Sequence, residues 1–68
     1  MQITINGKAQ CYEGAPNLAA LLHTLAIEPG QAGVAVAVNA RVVPRREIAS
    51  LPLNEGDRIE IVRAVQGG

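Results

Sequence analysis

The sequence contains almost no aromatic residues, and its charges cancel. Tyr12 is the only aromatic side chain in 68 residues, and six basic residues balance six acidic ones. Unpaired bases bind on aromatic faces, so one tyrosine argues against a platform for single-stranded nucleic acid. The net charge of zero argues against binding driven by bulk electrostatics. We therefore expect no nucleic-acid partner.

Residues that carry catalysis or bind metals are equally scarce. The lone Cys11 cannot form an internal disulfide and fits a reducing compartment. It has no second cysteine or partner histidine, so we expect no metal or bound cofactor and interpret Cys11 as a small, half-buried strand residue. The only histidine, His23, is expected to be solvated. Arg45-Arg46 is either a solvated pair or a contact for an acidic partner or a phosphate.

Long apolar runs are also missing. The longest, "VAVAV" at 34–38, is far too short to cross a bilayer, and the first residues do not resemble a secretory leader. We expect a cytoplasmic protein with no membrane partner. A chain of this length buries only about 60% of its unfolded surface, which leaves room for one core but not for a deep catalytic pocket.

The first half of the chain predicts a hairpin followed by a helix. Polar and apolar residues alternate around Asn6-Gly7, which favours a tight turn between strands near 2–6 and 8–13. The period then changes to that of a helix, with Asn17 as the N-cap and Glu28-Pro29-Gly30 as a stop signal. The predicted buried stripe of this helix consists of Leu18, Leu21, Leu22 and Leu25.

The second half predicts further strands. A strand through 34–38 is followed by a turn at Asn39-Ala40, a short strand ending at Pro44, a single-turn connection, a turn with left-handed Gly56 and a last strand near 57–64. The predicted fold class is α+β, a mixed sheet of about five strands with one main helix on one face, in the order ββαββ. We predict one domain over 1–64 and a flexible tail over 65–68.

Two of the predicted strands are apolar on both faces. A half-buried strand normally alternates apolar with polar residues, and one helix covers only one face of a sheet. The uncovered face is therefore a candidate docking patch for a partner protein, unless its small residues are merely tolerated there or the register is shifted by one. The candidate docking residues are Ala35, Ala37, Val62 and Ala64.

The sequence closes on Gln66, Gly67 and Gly68. Glycines without Cβ atoms can thread a narrow channel, and a fraying end projects its carboxylate into water. These properties suit a terminus that enters the active sites of other enzymes, so Gly68 is the candidate reacting residue and Gln66 and Gly67 the candidate threading residues.

Three segments, "VAVAVNARVVPRREI", "LNEGDRIEIVRAV" and "QGG", closely resemble the ThiS family of sulfur-carrier proteins of thiamine biosynthesis, which have the ubiquitin-like β-grasp fold. The resemblance extends over nearly the whole chain, including "MQITINGK" and the leucine helix. It departs from the family pattern at Ile48, where the family often carries tryptophan.

The resemblance implies a carrier that is not itself an enzyme. A ThiF-like adenylating enzyme would use ATP to convert the Gly68 carboxylate into an acyl-adenylate. Sulfur from a persulfide enzyme would then replace AMP and leave a thiocarboxylate, which donates sulfur to a ThiG-like thiazole synthase. The alternatives are a carrier of the MoaD type for molybdopterin, a ubiquitin-like modifier joined to lysines through Gly68, and a β-grasp interaction module whose glycines are incidental.

Overall fold

The computed structural model describes residues 1–28 and 31–63. Its elements, in chain order, are β1 (Gln2–Ile5), β2 (Lys8–Cys11), α1 (Leu18–Thr24), β3 (Val34–Val38), β4 (Arg41–Val42), α2 (Arg45–Ile48) and β5 (Arg58–Arg63). The five strands form one sheet in the order β2-β1-β5-β3-β4. Strands β1 and β5 are parallel, and the other neighbours are antiparallel.

The predicted fold class is confirmed, with one detail to add. The order ββαββ leaves out two short elements, the two-residue strand β4 and the single-turn helix α2, which correspond to the predicted short strand ending at Pro44 and the predicted single-turn connection. The predicted boundary between a domain at 1–64 and a tail at 65–68 lies outside the described residues.

Both predicted strand-to-strand turns are confirmed. Asn6 and Gly7 have φ values of 50° and 85°, and Asn39 and Ala40 have φ values of 53° and 69°. Two successive residues with positive φ match the right-handed twist of the flanking antiparallel strands, so a two-residue connection closes each hairpin. The predicted left-handed Gly56 is also confirmed, with a φ of 84°.

Helix α1 begins where the sequence predicts. Asn17 has an extended backbone, and its side-chain oxygen accepts a hydrogen bond from the backbone N–H of Ala20 at 2.7 Å. This bond satisfies one of the N–H groups that the first turn of a helix leaves without a partner.

The predicted end of α1 is wrong. The helix stops at Thr24, before the expected signal at 28–30, of which Pro29 and Gly30 lie outside the described residues. Ala26 takes a left-handed φ of 62° and donates its N–H to the His23 carbonyl at 2.9 Å, while Ile27 donates to the Leu22 carbonyl at 2.8 Å. This is a Schellman motif built on alanine instead of glycine.

The core lies between α1 and one face of the sheet. Leu18, Leu21 and Leu22 are at most 2% exposed, and Leu25 is partly buried against them, so the predicted stripe is confirmed. Burial of each large aliphatic side chain contributes about 1.5–3 kcal/mol. Ile48 is buried as well, so the residue at the family's tryptophan position packs into this core. None of the described helices has the length and apolar character needed to cross a membrane.

Candidate functional site

The sheet face that α1 does not cover carries the candidate docking residues. In the antiparallel ladder between β3 and β5, Ala35 lies opposite Val62 and Ala37 lies opposite Glu60. On the helix side of the same two strands, Val36 and Ile59 are buried, and Val34, Val38 and Ile61 are partly buried against the core. The predicted facing of these strands is therefore confirmed, and the alternative of a register shifted by one residue is wrong.

Val42 belongs to the same face, although it is not among the docking residues that the sequence predicts. It pairs with Ala37 across the β3–β4 ladder, so the two side chains lie on the same side of the sheet. Its exposed fraction is 68%, and that of Val62 is 64%. The turn at Asn39-Ala40 contained the missing signal, because a two-residue turn pairs the residues on its two sides and so sets the register of the short strand.

We call Ala35, Ala37, Val42 and Val62 the outer patch. It forms a shallow concavity of about 180 Å³, bordered by Glu60. The patch occupies only the β5–β3–β4 half of the sheet, since β1 presents Gln2 and Thr4 on the corresponding face. Uncovered apolar side chains grouped beside a polar border are typical of a protein contact surface.

The outer patch includes a residue of β5, the last described strand before the end of the sequence. Gln66, Gly67 and Gly68, together with Ala64 of the predicted docking set, lie outside the described residues. Val62 is the next-to-last residue of β5. An extended chain covers at most about 3.3–3.6 Å per residue, so the six residues that follow Val62 in the sequence can span at most about 20–22 Å.

The other candidate side chains are not brought together. Cys11 is exposed, so the prediction that it is half-buried is wrong: it belongs to the edge strand β2, whose four residues are all exposed. His23 is exposed in the last turn of α1, as predicted, and Arg45 and Arg46 are exposed on α2. Within residues 1–28 and 31–63, no group of three or more histidine, cysteine or acidic side chains is arranged to hold a metal ion.

A cleft of about 330 Å³ lies at the other end of β5 and includes Asp57 and Asn39. The Asp57 carboxylate is buried, and it accepts hydrogen bonds from the side-chain amide of Asn39 at 3.0 Å and from the backbone N–H of Asn54 at 2.8 Å. Both oxygens of the carboxylate therefore hold the fold together. Every buried side-chain nitrogen and oxygen of the described residues has a hydrogen-bond partner.

A mixed five-stranded sheet crossed by one main helix, with an uncovered apolar half beside its last strand, defines a ubiquitin-like β-grasp domain. The sequence profile of the ThiS family matches residues 3–68. The chain belongs to the ThiS family, the sulfur-carrier proteins of thiamine biosynthesis, and this prediction is confirmed.

Individual relatives agree with the family match. The sulfur carrier protein ThiS of Escherichia coli is 38% identical over 69 residues, which cover 100% of both chains. The crystal structure of the thiamine biosynthesis protein ThiS from Geobacter metallireducens superposes with a TM-score of 0.80 at 32% identity and covers 100% of each chain. A thiazole synthase of Paramagnetospirillum magneticum is 34% identical over 68 residues, and the chain spans 20% of the length of that protein.

Proposed function

We propose that this sulfur carrier works through the carboxylate of Gly68. The carboxylate attacks the α-phosphate of ATP in the active site of a ThiF-like adenylating enzyme, which forms an acyl-adenylate and releases pyrophosphate. Adenylation replaces a poor leaving group with AMP, so a persulfide sulfur can displace it. A thiol then reduces the acyl disulfide and frees the thiocarboxylate.

The carrier supplies the substrate group, and its partners supply the catalysis. The described residues hold no metal-binding cluster, and their buried carboxylate, Asp57, is engaged in structural hydrogen bonds far along β5 from the tail. Acid–base groups must lie within hydrogen-bond reach of the reacting atoms, which a small domain with this composition does not provide.

The single observation that carries this proposal is the position of the outer patch on β5. An apolar surface that includes Val62 lets a partner hold the domain while the residues after it reach a site within about 20 Å. Ordering each tail residue costs about 1–2 kcal/mol, so the tail alone would bind weakly and release easily. Docking of the folded domain supplies the affinity that the tail lacks.

Thiazole synthase is the partner we propose for the sulfur-loaded carrier. A segment similar to this whole chain forms part of the Paramagnetospirillum magneticum thiazole synthase. Joining a carrier-like segment to a synthase raises the effective concentration of the carrier at the synthase active site. This favours a reaction in which the carrier delivers its group to the synthase. We expect the separate carrier to meet its synthase through the outer patch.

The test measures pyrophosphate release by a ThiF-like adenylating enzyme with ATP and the purified carrier. We expect release with the full chain, and none after deletion of Gly68 or with Gly67→Val, whose branched side chain blocks a narrow channel. Ala49→Val adds the same side chain at an exposed position on the domain and serves as the control. All three variants are expected to keep the melting temperature of the parent chain.

Mass spectrometry of the chain purified from cells distinguishes the alternatives. A sulfur carrier shows an intact species in which one oxygen is exchanged for sulfur, whereas a protein modifier shows isopeptide adducts on lysines. Normal pyrophosphate release from the chain lacking Gly68 would contradict the proposal. A large fall in the melting temperature of that variant would mean that the terminal glycines are structural.

A further inference from the structure

Strand β5 is the last described element before the tail, and its pairing with β1 is short. The parallel ladder joins Thr4 to Arg58 and Ile5 to Ile59. Just after β1, the backbone N–H of Asn6 donates to the Ile59 carbonyl at 2.9 Å. The chain then enters the turn at Asn6-Gly7, so the backbone of β1 does not pair with β5 beyond this point.

The side chain of Asn6 extends the pairing of β5 beyond the last backbone hydrogen bond from β1. Its Oδ1 accepts a hydrogen bond from the N–H of Ile61 at 2.8 Å, and its Nδ2 donates to the carbonyl of Ile61 at 3.3 Å. A carboxamide carries an acceptor oxygen and a donor NH2 group side by side, so it can pair with both the N–H and the carbonyl of one residue. Asn6 therefore supplies β5 with one additional pair of hydrogen bonds on the β1 side.

The turn geometry explains why this position suits asparagine. Asn6 has a φ of 50°, a left-handed conformation that asparagine tolerates better than most residues. Glycine also tolerates it but has no amide, and glutamine is one methylene longer. The turn thus selects a residue whose short amide can reach Ile61.

A second asparagine supplies a natural comparison at the opposite end of the same strand. Asn39 also has a positive φ in a two-residue turn, at 53°. Its Oδ1 accepts from the Arg58 N–H at 2.9 Å, and its own N–H donates to the Arg58 carbonyl at 2.7 Å. Asn39 holds the first residue of β5, whereas Asn6 holds a residue near the end that leads to the tail.

We propose that Asn6 is a positioning residue for the tail: its amide fixes β5 at Ile61 on the β1 side and thereby sets the direction and free length of the segment presented to the adenylating enzyme. This inference rests on the proposed function. Without the amide, residues 61–63 pair on the β3 side alone. Residues 61–63 are then held on one side only, which lowers the fraction of docked carriers whose carboxylate reaches ATP.

The test compares Asn6→Gly with Asn39→Gly, since glycine removes each amide without straining the positive φ. Asn39→Gly also removes the hydrogen bond to Asp57 and is expected to lower the stability of the whole domain, so the exchange of Ile61 is measured relative to that of the buried Leu22 amide. This relative exchange of Ile61 is expected to accelerate in Asn6→Gly and to stay unchanged in Asn39→Gly. In pyrophosphate release, kcat with Asn6→Gly is expected to fall about 2- to 10-fold, the equivalent of one ordinary hydrogen bond, with KM unchanged because the outer patch is intact. Asn6→Asp keeps the acceptor for the Ile61 N–H and is expected to fall between Asn6→Gly and the parent chain.

Two results would overturn this inference. The first is parental Ile61 exchange in Asn6→Gly, which would show that the amide does not hold β5. The second is an equal loss of kcat in Asn6→Gly and Asn39→Gly, which would mean that general stability matters and the position does not. The proposed function fails separately if the parent chain shows no pyrophosphate release that depends on Gly68. In that case the exchange of Ile61 still tests whether the Asn6 amide holds β5.

Discussion

Asn39 and Asp57 lie 18 residues apart in the chain and are joined by a hydrogen bond of 3.0 Å between the Asn39 Nδ2 and an Asp57 carboxylate oxygen. The bond ties the β3–β4 turn to the start of β5. The second Asp57 oxygen accepts from the Asn54 N–H at 2.8 Å, so one buried carboxylate organises two turns at this end of the sheet.

We expect Asp57→Ala to destabilise the domain. The change removes two partly buried hydrogen bonds that the carboxylate accepts, and a hydrogen bond to a charged group contributes about 1.5–3 kcal/mol. In a domain of this size, each kcal/mol lowers the melting temperature by about 4–8 °C. Thermal unfolding followed by circular dichroism measures the effect. Glu13→Ala removes an exposed carboxylate and is the control; equal melting temperatures for the two variants would contradict the structural role of Asp57.

Ala40→Gly and Gly7→Ala, which are reverse exchanges in the two hairpin turns, are expected to have opposite effects on stability. Ala40 has a φ of 69°, where a Cβ costs about 1–2 kcal/mol, so Ala40→Gly is expected to stabilise the domain by about 0.5–1 kcal/mol after the entropy cost of glycine. Gly7 has a φ of 85°, and a Cβ added there meets nothing within 4 Å. The expected loss in Gly7→Ala, about 1 kcal/mol, is therefore purely conformational.

Urea unfolding measures both variants. Ala9→Gly, in the exposed strand β2, is the control for Ala40→Gly and is expected to lose about 0.5–1 kcal/mol because its backbone needs no glycine. A destabilised Ala40→Gly variant would mean that the turn does not hold its left-handed conformation in solution.

The outer patch predicts a change in binding without a change in folding. Val62→Glu places a carboxylate on a side chain position that is 64% exposed, so its free energy of unfolding should change by less than about 1 kcal/mol. Burying that charge against an apolar partner surface is costly, and we expect the Kd for the adenylating enzyme to rise at least about tenfold. Val62 is a better position than Ala37, because a glutamate at 37 would face Glu60 directly across the ladder and reduce stability.

Isothermal titration calorimetry with the tail-truncated domain isolates this effect from tail binding. His23→Glu adds the same side chain at an exposed position on α1, on the other side of the sheet, and is expected to bind like the parent. If Val62→Glu retains parental affinity, the docking surface lies elsewhere on the domain.

Local patterns in the sequence determined much of the fold. Asn6-Gly7 and Asn39-Ala40 predict their turns because the required φ values depend on one or two residues. Asn17 predicts the helix start for the same reason, since its side chain bonds within its own first turn. The alternation in β3 and β5 predicts that Ala35, Ala37 and Val62 belong to the outer patch, because successive residues of a strand point to opposite faces.

Predictions failed where a competing interaction came from elsewhere in the chain. The proline signal predicts the end of α1 at 28–30, but the burial of Ile27 next to Leu22 favours an earlier left-handed turn at Ala26. Cys11 was expected to be half-buried, but β2 is an edge strand that the core does not reach. The position of β2 at the edge depends on which other strands pair with β1, and the residues of β2 alone do not predict this.

Residues close together in the chain were enough to predict the class of protein, the two hairpin turns and the leucine face of the helix. The insertion of β5 between β1 and β3, by contrast, is seen only in the folded domain. That pairing brings the Asn6 amide to Ile61, 55 residues away, and places Val42 beside Ala37 and Val62 on one apolar surface. Hydrogen bonds between strands join backbone groups that all residues share, so they do not specify which strands pair. The pairing is set by the burial of the whole core.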